Sequence, residues 1–334
     1  MEQNENRKET LLELQGVYKY FPVRKGFFRR VVGSVKAVDD ISFTVEKGTT
    51  LGVVGESGCG KTTLGRTIIR LNQPSKGTIR MRFGDEMKDI FRMPKNDPTL
   101  IRKMQIVFQD PYASLNPSKN IFSAFDEPLR IQGIKSRKER LAIAEKMMET
   151  VNLQPEYLFR YPHEFSGGQR QRICIAKALA LNPELIICDE AVSALDVSIQ
   201  AQIMNLLREL QKERGLTYIF ISHDLSVVQY MSDKIAVMYL GKVVELADSE
   251  LLYTHCLHPY TEALLSAVPV PKVGIETNRI QLSGDIPSPI NPPKGCRFHP
   301  RCKYCTEICC QEEPVLKAID ENGKHLVACH HHLI

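Results

Sequence analysis

Gly55-Glu56-Ser57-Gly58-Cys59-Gly60-Lys61-Thr62 follows the short apolar run Leu51-Gly52-Val53-Val54 and precedes helically spaced apolar residues over 62–71. The order of strand, glycine-rich loop and helix predicts an α/β fold, and the loop fits the phosphate-binding pattern G-x-x-x-x-G-K-[ST]. Glycines let backbone N–H groups turn inward onto an anion, and the helix start adds its positive end. On this reading Gly55, Ser57, Gly58, Cys59, Gly60 and Thr63 surround a polyphosphate, Lys61 reaches its β- and γ-phosphates, and Thr62 holds Mg²⁺. A chance match over this chain length is on the order of 1%. The alternative, a glycine-rich surface turn, leaves the flanking strand and helix unexplained. The helix-start position of Cys59 also predicts a reactive thiolate.

The rest of the composition narrows the class. A chain of 334 residues allows two domains at about 150 residues each. With 43% hydrophobic and 25% charged residues it has ordinary globular usage, which excludes bulk disorder. A formal charge of +5 is too small to be a nucleic-acid footprint. No uncharged apolar run reaches the ~20 residues that cross a bilayer, and residues 1–10 lack the apolar core of a secretory signal. These features predict a soluble chain that stays in the cytoplasm. There is no internal repeat.

Further along, Leu185-Ile186-Ile187-Cys188 and Thr217-Tyr218-Ile219-Phe220-Ile221 predict strands buried on both faces of a parallel sheet. The first delivers Asp189 and Glu190 at a strand's carboxyl end, where ligands bind in open α/β sheets. Asp189 is placed to hold Mg²⁺ through its water shell and Glu190 to polarise an attacking water. Alone, such a pair is as often a solvated strand end; the phosphate loop tips the balance.

Phe165-Ser166-Gly167-Gly168-Gln169-Arg170-Gln171-Arg172 opens a helical run over 173–181. Ser166 and Gln169 form a capping box, so a well-capped helix is the plainer reading. Gly167 and Gly168, however, cost roughly 1 kcal/mol each against alanine in a first turn, which implies close approach to the backbone, most naturally by an anion. The region between Lys119 and Pro162 is mostly helical in pattern, clearest over 137–151.

Near the start, Leu12-Glu13-Leu14-Gln15-Gly16-Val17-Tyr18 and Ile41-Ser42-Phe43-Thr44-Val45-Glu46 alternate as half-buried antiparallel strands do. Between them Arg24, Lys25, Arg29, Arg30 and Lys36 have no acid among them. We read these as a solvated hairpin tip, with contact to anionic headgroups as the alternative. Pro269, Pro271, Pro287, Pro289, Pro292 and Pro293 predict an irregular strap.

Taken together, these motifs resemble the ATP-binding-cassette ATPases. That family's order of phosphate loop, glutamine loop, signature, acidic strand end, S-A-L-D loop and histidine is matched by Lys61, Gln109 in Val107-Phe108-Gln109-Asp110, Ser166-Gly167-Gly168-Gln169, Asp189-Glu190, Ser193-Ala194-Leu195-Asp196, and His223 in Ile221-Ser222-His223-Asp224. The resemblance implies an α/β cassette over residues 10–255, with a mixed parallel core sheet, an antiparallel β subdomain and a helical subdomain over about 112–170.

It also implies ATP as ligand, with Thr62, Gln109 and Asp189 around Mg²⁺ and with Glu190, His223 and Gln109 in catalysis. A head-to-tail dimer would sandwich ATP between one subunit's phosphate loop and the other's Ser166, Gly167, Gly168 and Gln169, with Asp196 beside it. The aromatic that stacks adenine in the family maps onto Phe21, with Tyr20 as second choice.

Of ten cysteines, Cys59, Cys174, Cys188 and Cys256 are scattered, while Cys296, Cys302, Cys305, Cys309, Cys310 and Cys329 crowd the end beside His325, His330, His331 and His332. Without a secretory signal this cluster reads as a metal site before a disulfide framework. Cys302-x-x-Cys305 suggests Zn²⁺, whereas four thiolates also suit an iron–sulfur cube.

Here the chain resembles the ATPase subunits of oligopeptide/dipeptide importers. The likeness rests on His258-Pro259-Tyr260-Thr261, Leu264-Leu265-Ser266-Ala267-Val268-Pro269, Gly295-Cys296-Arg297-Phe298-His299-Pro300-Arg301-Cys302 and Val327-Ala328-Cys329-His330. It implies a small irregular C-terminal extension over 256–334 with a [4Fe–4S] cluster on Cys296, Cys302, Cys309 and Cys329. It implies membrane permease subunits, a second ATPase subunit and an extracytoplasmic solute-binding protein as partners, no nucleic acid, and a place on the cytoplasmic face of the cell membrane. Nickel, glutathione and other small solutes are alternative cargoes for this subunit type. Rivals of another class are a nucleic-acid-acting cassette ATPase with a zinc module, or a redox-sensing regulator. The spacing from Lys61 to Ser166 leaves no room for the long inserts of repair ATPases.

Overall fold

The computed structural model describes residues 9–26, 30–268, 279–320 and 322–333. The first half of the chain runs β1 (Thr10–Lys25), β2 (Arg30–Glu46), β3 (Thr50–Val54), α1 (Lys61–Ile68), β4 (Lys76–Phe83), β5 (Glu86–Asp89), α2 (Pro98–Lys103), β6 (Met104–Val107), α3 (Pro111–Ser114), α4 (Ile121–Ile131), α5 (Arg137–Thr150) and α6 (Gly167–Leu179). It continues with β7 (Leu185–Asp189), α7 (Val197–Arg214), β8 (Thr217–Ile221), α8 (Leu225–Met231), β9 (Lys234–Tyr239), β10 (Lys242–Asp248), α9 (Ser249–Thr254), α10 (Pro259–Ser266), α11 (Glu307–Gln311), β11 (Lys317–Ala318) and β12 (His325–Val327). No helix among the described residues is long and apolar enough to cross a membrane.

The chain divides into two compact units. One takes residues 46–49 and 90–220 with the first described residues. In it β8, β7 and β6 lie in that order, and β6 and β7 are parallel, with Val107 opposite Cys188. Every residue of β7 and β8 is buried, as their unbroken apolar runs require. The helical insert forms as expected. Asn120 caps α4 and Ser136 caps α5 through bonds to the third residue on. The buried Arg140 ties the two helices, donating to Asp126 Oδ1 at 2.7 Å and to the carbonyls of Ile134 and Lys135.

The other unit takes residues 11–45, 50–89 and 221–333. One of its sheets has the order β2-β1-β4-β5, with β1 antiparallel to β4 and Leu14 opposite Ile79. Both N-terminal strands outrun the alternation that announced them, because pairing with a neighbour sustains a strand where side-chain burial no longer does. Arg24 and Lys25 end β1, while Arg30 and Lys36 lie in β2. Most of the basic segment is therefore strand rather than loop; Arg29 lies outside the described residues.

The second set of strands, β11-β12-β10-β9-β3, is mixed: β3 and β9 are parallel, and the rest antiparallel. Its last contribution comes from the chain's end, with Val327 opposite Glu245. The Glu245 carboxylate is fully buried and fully used: it accepts from the N–H groups of Leu257 and His258 and lies 2.7 Å from His325 Nε2. A buried charge so satisfied pins the extension onto β10. From 279 to 298 the described chain has no helix or strand, and a single 3₁₀ turn, His299–Arg301, follows. Pro269 and Pro271 lie outside the described residues.

Candidate functional site

The phosphate loop leaves the buried β3 and closes into α1 through the Leu64 N–H to Gly60 carbonyl bond of 2.9 Å. Two of its glycines are obligatory. At Gly55 (φ +150°) a Cβ would lie 2.1 Å from the Met238 carbonyl oxygen, and at Gly60 (φ +107°) 1.9 Å from that of Ala37. Lys61 is 4% exposed, and its ammonium donates to the carbonyls of Gly55 at 2.7 Å and Glu56 at 3.0 Å. The cation thus already sits inside the loop, where a phosphate would exchange for two carbonyls. Thr62 and Thr63 follow, half-buried, on the first turn of α1. α1 ends at Ile68, earlier than the pattern suggested, because Arg70 turns left-handed at φ +64°.

Cys59 departs from expectation. It is buried, and burial pushes its thiol above the ordinary value of 9.0 despite the opposing charge of Lys61. Desolvation outweighs the helix start, so burial disfavours the thiolate that would react. Alkylation of Cys59 should therefore run slower than that of an exposed cysteine, accelerate only at alkaline pH, and be blocked by bound ATP. Mass mapping of modified peptides against time checks this.

Ahead of the loop, the Tyr20 hydroxyl is committed to Asp39 Oδ1 at 2.5 Å. Phe21 is exposed, with Lys19 Nζ 4.7 Å from its ring centre. Of the two aromatics, Phe21 presents the open face. His223 belongs to the same unit and is exposed between β8 and the α8 cap Asp224.

The remaining residues predicted for the nucleotide site belong to the other unit. Asp189 ends β7, buried. Glu190 follows in a left-handed backbone, φ +51°, that L-residues seldom adopt. Its carbonyl accepts from both the N–H and the hydroxyl of Ser193, at 3.2 and 2.9 Å. Such strain, held by its neighbours, is typical of working residues. Gln109 is exposed just past β6. The capping box forms in full, with Gln169 N–H on Ser166 Oγ at 3.3 Å and Ser166 N–H on Gln169 Oε1 at 3.0 Å.

The close approach inferred at Gly168 is made by the chain itself, since a Cβ there would lie 2.6 Å from Ile199 Cγ2 of α7. Gly167 has more room, its Cβ position being 3.6 Å from Leu195. Asp196 caps α7, accepting from Ile199 N–H and Ser198 Oγ, and these bonds hold its carboxyl below the ordinary value. Beside the helical insert lies a groove of about 350 Å³, lined by Leu115, Asn116, Ile121, Ala124 and Ile131 among others.

In the extension, Cys296, Cys302, Cys309 and Cys329 line one small cavity of about 10 Å³, with His258, Phe298 and His330 in its wall. Cys305 and Cys310 are exposed and outside it, their sulfurs 3.9 Å apart. The Cys302-x-x-Cys305 pairing is therefore broken. Cys302 lines the cavity and Cys305 does not. Burial, followed by the proximity of Cys329, Cys309 and Cys302, pushes the Cys296 thiol up to about 12. Among the described residues no three His, Cys, Asp or Glu side chains converge tightly enough to grip a single ion. Burial pushes the His258 imidazole down to about 4, so it is neutral at physiological pH.

Comparison with known proteins gives the family. Residues 38–193 match the ABC transporter family, and 244–309 match the C-terminal region of oligopeptide/dipeptide transporters. The oligopeptide transport ATP-binding protein AppF of Bacillus subtilis (strain 168) is 54% identical over 325 residues, 97% of this chain and 98% of that one. The chain belongs to the oligopeptide/dipeptide class of ABC transporter ATP-binding subunits. As an ABC subunit it is an ATPase. The dipeptide transport ATP-binding protein DppF of Haemophilus influenzae is 49% identical, over 98% of this chain and 99% of its own. Among solved structures, the ATP-binding cassette MJ0796, dimeric in a post-hydrolysis state with ADP and Pi, aligns with 72% of this ABC subunit and 99% of its own length at a TM-score of 0.60 and 26% identity.

Sequence reasoning missed the residues of this ABC subunit that reach the phosphate loop and its neighbours from the extension. Arg297 pairs with Asp39 and with the Leu240 carbonyl. Arg301 pairs with Glu56, and the Tyr260 hydroxyl accepts the Glu56 N–H at 2.9 Å. The available signal was two arginines, each one residue from a cysteine of the cavity, and an acid embedded in the apolar end of β2.

Proposed function

We propose that this chain is the ATP-hydrolysing subunit of a membrane importer for di- or oligopeptides. The observation that carries the reading is the end-to-end likeness to peptide transport ATP-binding proteins, extension included. ATP as its Mg²⁺ complex enters the phosphate loop, where Lys61 exchanges its two carbonyls for phosphate oxygens. Thr62, Gln109 and Asp189 surround the ion, and Phe21 stacks the base. Glu190 polarises the attacking water, and His223 contacts the γ-phosphate. A second ATPase subunit offers Ser166, Gly167, Gly168 and Gln169, with Asp196 beside them, to the other face of the nucleotide. The 350 Å³ groove on the helical insert supports a reading in which a permease segment docks there and the subunit works at the cytoplasmic face of the membrane. A solute-binding protein outside would deliver the peptide. Purified together with its permease subunits in liposomes, the complex should hydrolyse ATP faster when loaded peptide-binding protein is added. Stimulation by nickel or glutathione instead of peptide would replace the cargo assignment.

The four cysteines of the cavity suit a [4Fe–4S] cluster, since all-thiolate ligation by four residues is what such a cube takes. The cluster would cross-link the extension rather than serve hydrolysis. Burial raises the Cys296, Cys302 and Cys329 thiols, and a cluster takes thiolates, so loading would release protons. A single Zn²⁺ is the second reading, since four thiolates in a tetrahedron suit that ion as well. Anaerobically purified protein should be brown, with about four irons per chain. Cys296→Ser should bleach it while leaving ATP binding intact, and Cys305→Ser should not. Elemental analysis showing one zinc and no iron would decide for the second reading.

A further inference from the structure

We infer that Arg301 of the C-terminal extension is a positioning residue for the nucleotide site, holding the Glu56 edge of the phosphate loop and cancelling its charge. The inference rests on the reading of that loop as the ATP site.

The arrangement places three grips on one residue. Arg301 Nη1 donates to Glu56 Oε2 at 2.7 Å and Nη2 to Oε1 at 3.1 Å, a two-pronged pair. The Tyr260 hydroxyl takes the Glu56 N–H at 2.9 Å, and Lys61 Nζ donates to the Glu56 carbonyl at 3.0 Å. The guanidinium is nearly buried, its side chain 7% exposed against 23% for Glu56. It is seated against Tyr239, whose ring packs on Tyr260 and Phe298 with centres 4.7 and 5.3 Å apart. Arg301 and Tyr260 both belong to the segment matching the transporter C-terminal region, more than 200 residues from the loop they hold.

The electrostatic consequence follows directly. Glu56 is an acid one residue past Gly55, in a loop built to receive several negative charges. Unpaired, its carboxylate would repel a polyphosphate and pull on Lys61, the cation the phosphates need. Bidentate pairing with a guanidinium offsets that penalty and fixes the side chain in place. Because the contact is made to the loop and not to the reacting atoms, it acts on nucleotide affinity rather than on the chemical step.

The test is a cycle of ATP affinities, with Lys61→Ala as the control for the site itself. Arg301→Ala should weaken ATP binding about 10- to 100-fold, the range for hydrogen bonds to charged groups. The KM for ATP should rise by the same factor, with kcat within about twofold. In a Glu56→Gln background, which has no carboxylate to restrain, the same arginine substitution should cost less than about threefold. If Arg301 only stabilises the extension, it will cost the same factor in both backgrounds, and the inference fails. It fails also if Arg301→Ala binds ATP as the parent does while Lys61→Ala does not. If Lys61→Ala binds ATP normally, the site assignment itself is wrong. Should Arg301→Ala not fold, Arg301→Gln, which is shorter than arginine and loses the charge but keeps a polar amide, takes its place in the same cycle.

Discussion

Glu190→Gln should reduce ATP turnover by roughly 10²–10⁴-fold, the range for loss of a general base, with ATP affinity unchanged within about twofold. The amide is the same size as the acid and keeps the left-handed backbone at φ +51°, so the loss would reflect chemistry and not refolding. Two bonds from Ser193 to the Glu190 carbonyl hold that backbone whatever the side chain carries. Phosphate release in single-turnover assays, alongside equilibrium nucleotide binding and a melting curve, separates the outcomes. Hydrolysis retained at the parent rate would remove Glu190 from the reaction and move the search to other groups near the strand end.

Arg297→Ala should be the most destabilising single substitution outside the core, by about 3–5 kcal/mol, the cost of leaving one partner of a buried ion pair alone. The two side chains are 6% and 8% exposed. The guanidinium satisfies both Asp39 and the Leu240 carbonyl, so its removal orphans two acceptors at once. At roughly 2–4 °C per kcal/mol, the melting temperature should fall by about 10 °C. Asp39→Asn in the same background should recover part of the loss, because a buried amide is cheaper than a buried carboxylate.

The pH dependence carries the same signature. Burial alone would raise the Asp39 carboxyl, but hydrogen bonds from Tyr20 and Arg297, with the charge of Arg297, hold it below its ordinary value of 3.8. Its contribution is therefore fully present above that value and is lost as pH falls through the lower, folded one. In Arg297→Ala this acid limb should flatten or invert. Thermal melts from about pH 2 to pH 6 read it.

The phosphate loop, the strand ends that carry Asp189 and His223, the capped helix at Ser166 and the helical insert were all legible in one dimension. Each depends on neighbours within a few residues: a glycine where φ must be positive, a capping box, an apolar run of strand length, a 3.6-residue period. β8 occupies the very residues read from its apolar run, and β7 differs by one. Family membership followed from the order of these local signals.

What only the tertiary structure decided is set by pairings across long stretches of chain, for which no local periodicity exists. Six terminal cysteines look alike in sequence. Packing of β12 on β10 and of Gly295 under the carbonyls of Cys309 and Cys310 turns four of them into one cavity and leaves Cys305 and Cys310 outside. The same holds for Gly168, whose missing side chain makes room for Ile199, and for Cys59, where burial defeats the helix start. Arg297 and Arg301 reach across 258 and 245 residues to Asp39 and Glu56. A charged side chain takes whatever partner the fold brings within 3 Å of it, and sequence distance carries no record of that choice.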